Sequence, residues 1–300
     1  MFVSILIPTH NEEADIRQTL EAAIAVRYPQ KEILVIDDAS TDTTTSIVSQ
    51  YAERGVRLIA LKQNRGVAAA RNIGLRHTQA NIAIILNADV ILPPDIIEKL
   101  LPIYERGADF VVVEAQAINM ESVFARFVQA AHDRDYKSNP VQGNVDWSEG
   151  WSCRRAAALA VGGFPEELPG ASGEDAIFVQ SLIAQVYRRA YDGSIVVRHY
   201  VPSTLKEFWK QRRGRGRGAA YRRFDYEKIK PRLLPMLKSW LGTILWLGSV
   251  ALPIHETIRL LHYSPLGWKD MPGMCYAVII DAIGQQVGYW QGYREIATKT

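Results

Sequence analysis

The sequence predicts an α/β protein built around a mostly parallel, doubly wound sheet, and three observations carry that reading. Near-continuous apolar runs, "VSILIP" (3–8), "EILVID" (32–37), "VRLIAL" (56–61), "IAIILN" (82–87) and "FVVVEA" (110–115), have the length and content of strands buried on both faces. Helical patterns at 12–26, 43–54, 67–77 and 94–106 separate them, and such alternation leads to parallel strands joined by right-handed crossovers. Polar clusters then fall where the apolar runs end: Pro8-Thr9-His10-Asn11-Glu12, Asp37-Asp38 and Asn87-Ala88-Asp89. Ligands of open parallel sheets gather at the carboxyl ends of the strands, so the three clusters mark one functional edge.

The pattern is less regular from 116 to 200. A helix is expected at 119–138, then a loop through "NPVQGNVDWSEGW", the Gly-rich "VGGFPEELPGASGED", a helix at 175–189 and a strand at "IVVRHY". From residue 203 the character changes. The net charge of +3 conceals a basic block at 206–232, with 11 Lys/Arg against 3 Asp/Glu, while the other residues hold 24 against 29. Its mixture of aromatic and basic residues suits the surface of an anionic membrane. A nucleic-acid segment is the rival for that block. The next stretch argues against it: "LLPMLKSWLGTILWLGSVALPI" (233–254) is 22 residues with one charge, Lys238, long enough for a membrane helix. Residues 271–294 are expected to form a second membrane helix packed on the first, or a re-entrant or interfacial one. Asp281, Gln285 and Gln286 are costly there, but Gly284, Gly288 and Gly292 would admit a close neighbour. The Lys/Arg excess before residue 233 assigns the globular part to the cytoplasmic side. The division expected is therefore 1–202, a basic interface segment at 203–232, and a membrane-associated region at 233–300.

Cys153 and Cys275 match no zinc or redox spacing and read as reduced thiols in an intracellular protein. Met1 runs directly into a strand, with no signal-peptide pattern. A nicotinamide-dependent dehydrogenase is rejected, because no G-x-G-x-x-G follows the first strand.

Several residues then suggest chemistry. A carboxylate at the end of the second strand can accept the ring N–H of uracil or guanine, and Asp37 is the better candidate; Asp38 is read either as a base contact or as a turn cap with Ser40 and Thr41. "KQNRGVAAARNIGL" (62–75) places a glycine at a strand-to-helix turn and Arg71 on the helix, where it could pair with diphosphate oxygens. "NAD" at 87–89 offers one carboxylate and one amide where a metal against a diphosphate would favour two carboxylates.

Taken together, "SILIPTHNE", "EILVIDDASTDTT", "NRGVAAARNIGL", "NADV", "GGFPEE" and "GED", in this order, resemble the family 2 glycosyltransferases with the GT-A nucleotide-sugar-binding fold. The resemblance covers residues 1 to about 200. It implies that Pro8, Thr9, Asn11, Glu12, Asp37, Asp38, Arg71, Asn87, Ala88 and Asp89 line a nucleotide-sugar donor. It implies Mg²⁺ or Mn²⁺ on Asp89, with Asn87 replacing the first acid of the motif and ligating through its oxygen or a water. His199 falls near a family histidine close to the metal. Asp175 becomes the general base with Glu174 beside it; taken alone, that pair would read as acids at a helix N-terminus. Trp147, Glu149, Trp151 and Arg154 lie where acceptor-facing residues are expected, although a core role for the tryptophans is open.

"KQRRGRG" (210–216) is similar to the QxxRW motif of membrane-embedded polysaccharide synthases, but Gly214 stands in the Arg position and no Trp follows. Gln211, Arg212, Arg213 and Arg215 remain diphosphate-binding candidates. The function implied is an inverting, metal-dependent transfer of a hexose, first mannose from GDP-mannose, to a lipid-linked glycan or polyprenyl acceptor at the cytoplasmic membrane face, with protein glycosylation as a fitting destination. The alternatives are a UDP-sugar-using polysaccharide synthase and a degenerate, membrane-anchored nucleotide-sugar binder.

Overall fold

The computed structural model describes residues 1–138, 149–168, 173–227, 241–242, 244 and 251–298. The chain divides into two compact units, one of Met1–Gln116, Pro140–Glu166 and Glu174–Tyr200, the other of Ala117–Asn139, Glu167–Gly173 and Val201–Thr300.

The first unit holds strands β1 (Val3–Thr9), β2 (Lys31–Asp37), β3 (Val56–Ala60), β4 (Ile82–Ile85), β5 (Val90–Ile91), β6 (Phe110–Ala117), β7 (Trp151–Arg154) and β8 (Arg189–His199). They form one sheet in the order β3-β2-β1-β4-β7-β6-β8-β5. β1 pairs in parallel with β2 and β4, and β2 with β3, setting Thr9 level with Asp37 and Leu6 with Ile85. Every residue of β1 and β4 is buried, which is why these runs carry no alternation. Helix α1 (Ile16–Ala25) covers them with Ile16, Leu20 and Ala23, spaced four and three apart on one face. Helices α2 (Thr44–Ser49), α3 (Val67–His77) and α4 (Ile96–Glu105) take up the expected positions.

Beyond the first four strands the parallel expectation fails. β7 is antiparallel to both β4 and β6, and β5 is antiparallel to β8. The sheet is mixed, and the 110–115 strand is not the neighbour of β4. The cause is the helix downstream of β6. That helix, α5 (Val123–Ser138), belongs to the second unit, so the alternation that generates parallel crossovers stops at residue 117. Helix α6 (Arg155–Ala160) comes directly after β7. Helix α7 (Glu174–Ala184) ends five residues earlier than expected, and β8 starts at Arg189 rather than at "IVVRHY".

The second unit packs α5 with α8 (Leu205–Tyr221), α9 (Ala251–Leu261) and α10 (Met271–Ala297) around Phe124, Phe127, Phe208, Leu260, Met274 and Val278. Phe124 stacks on Phe208 at 4.8 Å. Arg126 and Asp270 form a two-bond ion pair, both contacts 2.7 Å, inside this core. Helix α8 opens with a capping box between Thr204 and Glu207.

Among the described residues no helix is long and apolar enough to cross a membrane. Most of 233–254 lies outside those residues. The expected second membrane segment is α10, and its partner is the basic helix α8. A Cβ on Gly288 would stand 2.0 Å from the Arg213 carbonyl oxygen, and one on Gly216 would stand 1.9 Å from that of Gln285. The polar residues of α10 have protein partners: Asp281 with Arg212 at 3.3 Å, Gln291 with Arg213 at 3.0 Å, and Glu295 with Arg217 at 2.8 Å. Gly288→Val therefore forces two helix backbones apart and is expected to destabilise the protein by about 3 kcal/mol. Gly214→Ala, which meets nothing within 4 Å, is neutral or slightly stabilising. Thermal unfolding followed by circular dichroism checks both.

Candidate active site

The edge where β1, β2 and β4 end is held together by short polar side chains. Asn11 takes a left-handed backbone, φ +58°, and its Oδ1 accepts from the Thr41 amide at 2.7 Å, tying the loop after β1 to the loop after β2. Asp37 accepts from the Ser40 hydroxyl at 2.5 Å and amide at 3.1 Å and from the Thr45 hydroxyl at 3.1 Å. Asp38 accepts from the amides of Arg65 and Gly66, both at 2.7 Å, and so fixes the turn into α3 rather than capping its own loop. Gly66 has φ +88°, which explains the glycine at that turn. Both carboxylates thus hold the loops at the ends of β2 and β3, and a nucleobase contact by Asp37 would come in addition to these bonds. Thr9 is buried, and its hydroxyl has no partner among the described residues. The Glu12 amide donates to Thr44, while the Ala88 carbonyl accepts from Thr19 at 2.7 Å. Pro8 is buried where β1 ends.

Arg71 is the centre of the site. Its side chain is 2% exposed and lies over the Phe164 ring at 5.1 Å. One guanidinium nitrogen donates to Glu174 at 3.0 Å and to Asp175; the other donates to Asn87 Oδ1 at 3.1 Å. Arg71 therefore clamps the start of α7 to the loop after β4. The Asn87 oxygen accepts from the arginine. Glu174 is 4% exposed and Asp175 22%, so Asp175 is the member of the pair that solvent reaches. The neighbouring Asn72 clasps the backbone of Phe164 from both sides, each bond 2.8 Å, and holds the turn in which Gly163 has φ +78°.

Asp89 sits in a different environment. Its Oδ1 is buried without a partner among the described residues, and so is Oε2 of Glu149. Burial, then the negative charges of Glu149 and Glu12, push the Asp89 carboxyl up to about 7. His199 stands with Nδ1 4.0 Å from Glu149, and burial holds its ring below the ordinary histidine value, partly offset by the Glu149 charge. Two orphaned carboxylate oxygens and an imidazole are donor types that divalent metals take, the carboxylates suiting Mg²⁺ or Mn²⁺. As they stand, no three such groups among the described residues converge closely enough to enclose one. The donor types suit such a cation, and Asp89 and His199, each influenced by Glu149, are the groups that would approach it.

The acceptor-facing expectations divide. Glu149 belongs with Asp89 and His199. Trp151 is 4% exposed and packs on Phe110, Phe164 and Phe178, so it is core. Arg154 bonds the carbonyls of Ala108 and Tyr104 and is structural. Trp147 lies outside the described residues. Of the diphosphate candidates on α8, Arg212, Gln211 and Arg213 are hydrogen-bonded within the second unit. Arg212 is buried against Phe208, bonded to Asp281 and Gln211, and burial beside Arg215 pushes its pKa down to about 9. Arg213 donates to Gln291. Sequence pattern misses the role of Glu149 because a lone Glu before a strand has no spacing signature. It misses that of Arg71 because an arginine inside a helix reads alike whether buried or exposed.

Residues 4–158 match the Glycosyl transferase family 2 domain. The probable glycosyltransferase YdaM of Bacillus subtilis (strain 168) is 27% identical over 73% of this chain and 55% of its own length. The undecaprenyl-phosphate 4-deoxy-4-formamido-L-arabinose transferase of Pseudomonas syringae pv. syringae (strain B728a) is 36% identical over 37% of this chain and 34% of its own. The chain thus spans about half the length of the first of these curated relatives and a third of the second. Among solved structures, the mannosyltransferase PcManGT from Pyrobaculum calidifontis, in complex with GDP-Man and Mn²⁺, superposes with a TM-score of 0.64 at 20% identity, covering 94% of this chain and 86% of that one. That likeness concerns the GT-A-like fold.

Proposed function

The chain belongs to glycosyl transferase family 2, and from that premise we propose that it is an inverting transferase moving a hexose from a nucleotide-sugar to a lipid-linked acceptor at the cytoplasmic face of a membrane. Mannose from GDP-mannose is the first donor to test. The lipid-linked acceptor is supported by the undecaprenyl-phosphate transferase among the relatives, and the donor by the GDP-Man bound in the mannosyltransferase structure.

The observation that carries the reading is the Arg71 bridge, which joins Asp175 to the Asn87–Asp89 loop in one rigid network. Asp175 takes the proton of the acceptor hydroxyl as its oxygen bonds to the anomeric carbon. The bond from that carbon to the diphosphate oxygen breaks with its electron pair, and the configuration inverts. A divalent cation, when bound, stabilises the charge on the leaving diphosphate. Glu174 and Arg71 fix where the base stands, and Thr9 and Asn11 border the donor edge.

Radiolabelled transfer from GDP-mannose, UDP-glucose and UDP-N-acetylglucosamine to polyprenyl-phosphate acceptors, with and without Mn²⁺, tests the proposal; no transfer or hydrolysis with any of them would sink it. Asp175→Asn is expected to lower turnover by about 10²–10⁴ while donor affinity stays within a few fold. Asn87 in place of an acid favours one second reading, a nucleotide-sugar binder without turnover. For such a protein Asp175→Asn changes nothing.

A further inference from the structure

The second unit exposes large apolar side chains at and near the turn where α9 passes into α10. Trp268 is 67% exposed and Leu266 48%, with Ile258 on α9 at 42% and Tyr276 on α10 at 43%. The core beneath is already complete, since Leu260, Leu261, Met274 and Ala277 are buried against one another and against Phe124. Large side chains exposed together on a short turn call for a partner.

Charge narrows that partner. Between residues 257 and 280 the sequence has one carboxylate, Asp270, and it is buried and bonded to Arg126 and Ser264. Lys269 stands exposed beside the apolar residues, as does Arg259, which also reaches Glu256 at 3.1 Å. The surface therefore has an aromatic and aliphatic tip and a cationic rim. A second copy is a poor occupant, because two-fold pairing would set each cationic rim against its counterpart. An acidic protein would satisfy the rim but leave Trp268 and Leu266 to be matched separately. The boundary between headgroups and acyl chains of an anionic bilayer satisfies both at once, with tryptophan at the headgroup level and lysine and arginine toward phosphate.

We propose that the turn Leu266–Lys269 is an interfacial wedge that seats this chain on an anionic lipid surface. The wedge deepens the functional reading above and takes from it only the lipid-borne acceptor. It would bring the protein to the plane in which that acceptor diffuses.

The test uses the full chain and vesicles of phosphatidylcholine, with or without phosphatidylglycerol, some carrying brominated acyl chains that quench tryptophan. Trp268 is one of seven tryptophans, and Trp268→Phe is expected to remove a clear share of the bromolipid quenching. Leu266→Glu with Trp268→Glu is expected to weaken binding to phosphatidylglycerol vesicles by about tenfold. Equal quenching in wild type and Trp268→Phe would overturn the wedge even if another part of the chain holds the vesicle. So would vesicle binding unchanged by the double substitution, or light scattering showing a dimer that the double substitution dissolves. Vesicle binding requires neither donor nor acceptor. Intact binding without transfer therefore sinks the enzymatic reading alone, and transfer to a detergent-dispersed acceptor without wedge insertion sinks the wedge alone.

Discussion

Asp89→Asn is expected to lower transfer by about three orders of magnitude while making the metal-free protein harder to unfold. The activity loss comes from the chemistry: several kcal/mol of stabilisation for the leaving diphosphate depends on the cation that Asp89 would hold, and each 1.4 kcal/mol is about tenfold in rate. The stability gain comes from burial. Asp89 Oδ1 has no hydrogen-bond partner among the described residues and faces the negative charges of Glu149 and Glu12, so its carboxyl is pushed up from the ordinary 3.8 to about 7. A carboxyl raised in this way favours the folded state when protonated and opposes it when charged. The gain from asparagine is therefore full above pH 7, shrinks as the pH falls and is gone below the unfolded value. Its size is about 1–3 kcal/mol. Thermal scans in EDTA at pH 8 and pH 4 check the sign, and adding Mn²⁺ should raise the melting temperature of the wild type but not of the variant. A variant that melts lower than wild type at pH 8 in EDTA would show that the Asp89 charge is satisfied by something else.

The second large effect is expected at Arg71. Its guanidinium bonds both Glu174 and Asp175, and the Glu149 charge acts on it as well. Arg71→Met leaves Glu174 buried without this counter-charge, and removing one partner of a buried pair costs about 3–5 kcal/mol. Activity should fall with it, because Asp175 loses the bond that orients it. Arg71→Lys restores the charge but not two nitrogens aimed at opposite sides, so it should recover stability more than turnover. Chemical denaturation and single-turnover rates separate the two. Asn87→Asp is the mild counterpart. It replaces an oxygen that already accepts from Arg71, and turnover should change by less than about tenfold.

The parts of the fold that were legible in the sequence were those governed by local pattern. The β1, β2 and β4 runs are apolar throughout because both faces are covered, and α1 shows its buried stripe at the expected spacing. Motif order likewise brought Glu174 and Asp175 together with the Asn87–Asp89 loop. What pattern does not encode is partnership between distant segments. Nothing in the local sequence distinguishes Arg71 from Arg76 on the same helix, yet Arg71 is buried and Arg76 is half exposed. The glycines of α10 announced a close neighbour, but only the fold shows that the neighbour is the arginine-rich α8, whose charges had suggested solvent or lipid.

The reversed direction of β7 has a consequence for the missing acid at position 87. Because β7 runs against β4, with Ile85 level with Trp151, the residue two places past the end of β4 and the residue two places before the start of β7 meet at the same rim. Those positions are Asn87 and Glu149. A parallel strand inserted there would have delivered its leading residue to the far side of the sheet. Asp89 stands in the loop after β4, and the Glu149 charge that acts on it is brought from far downstream by strand polarity. Residues 87–89 show one carboxylate when read consecutively; strand polarity brings the charge of a second to bear on it.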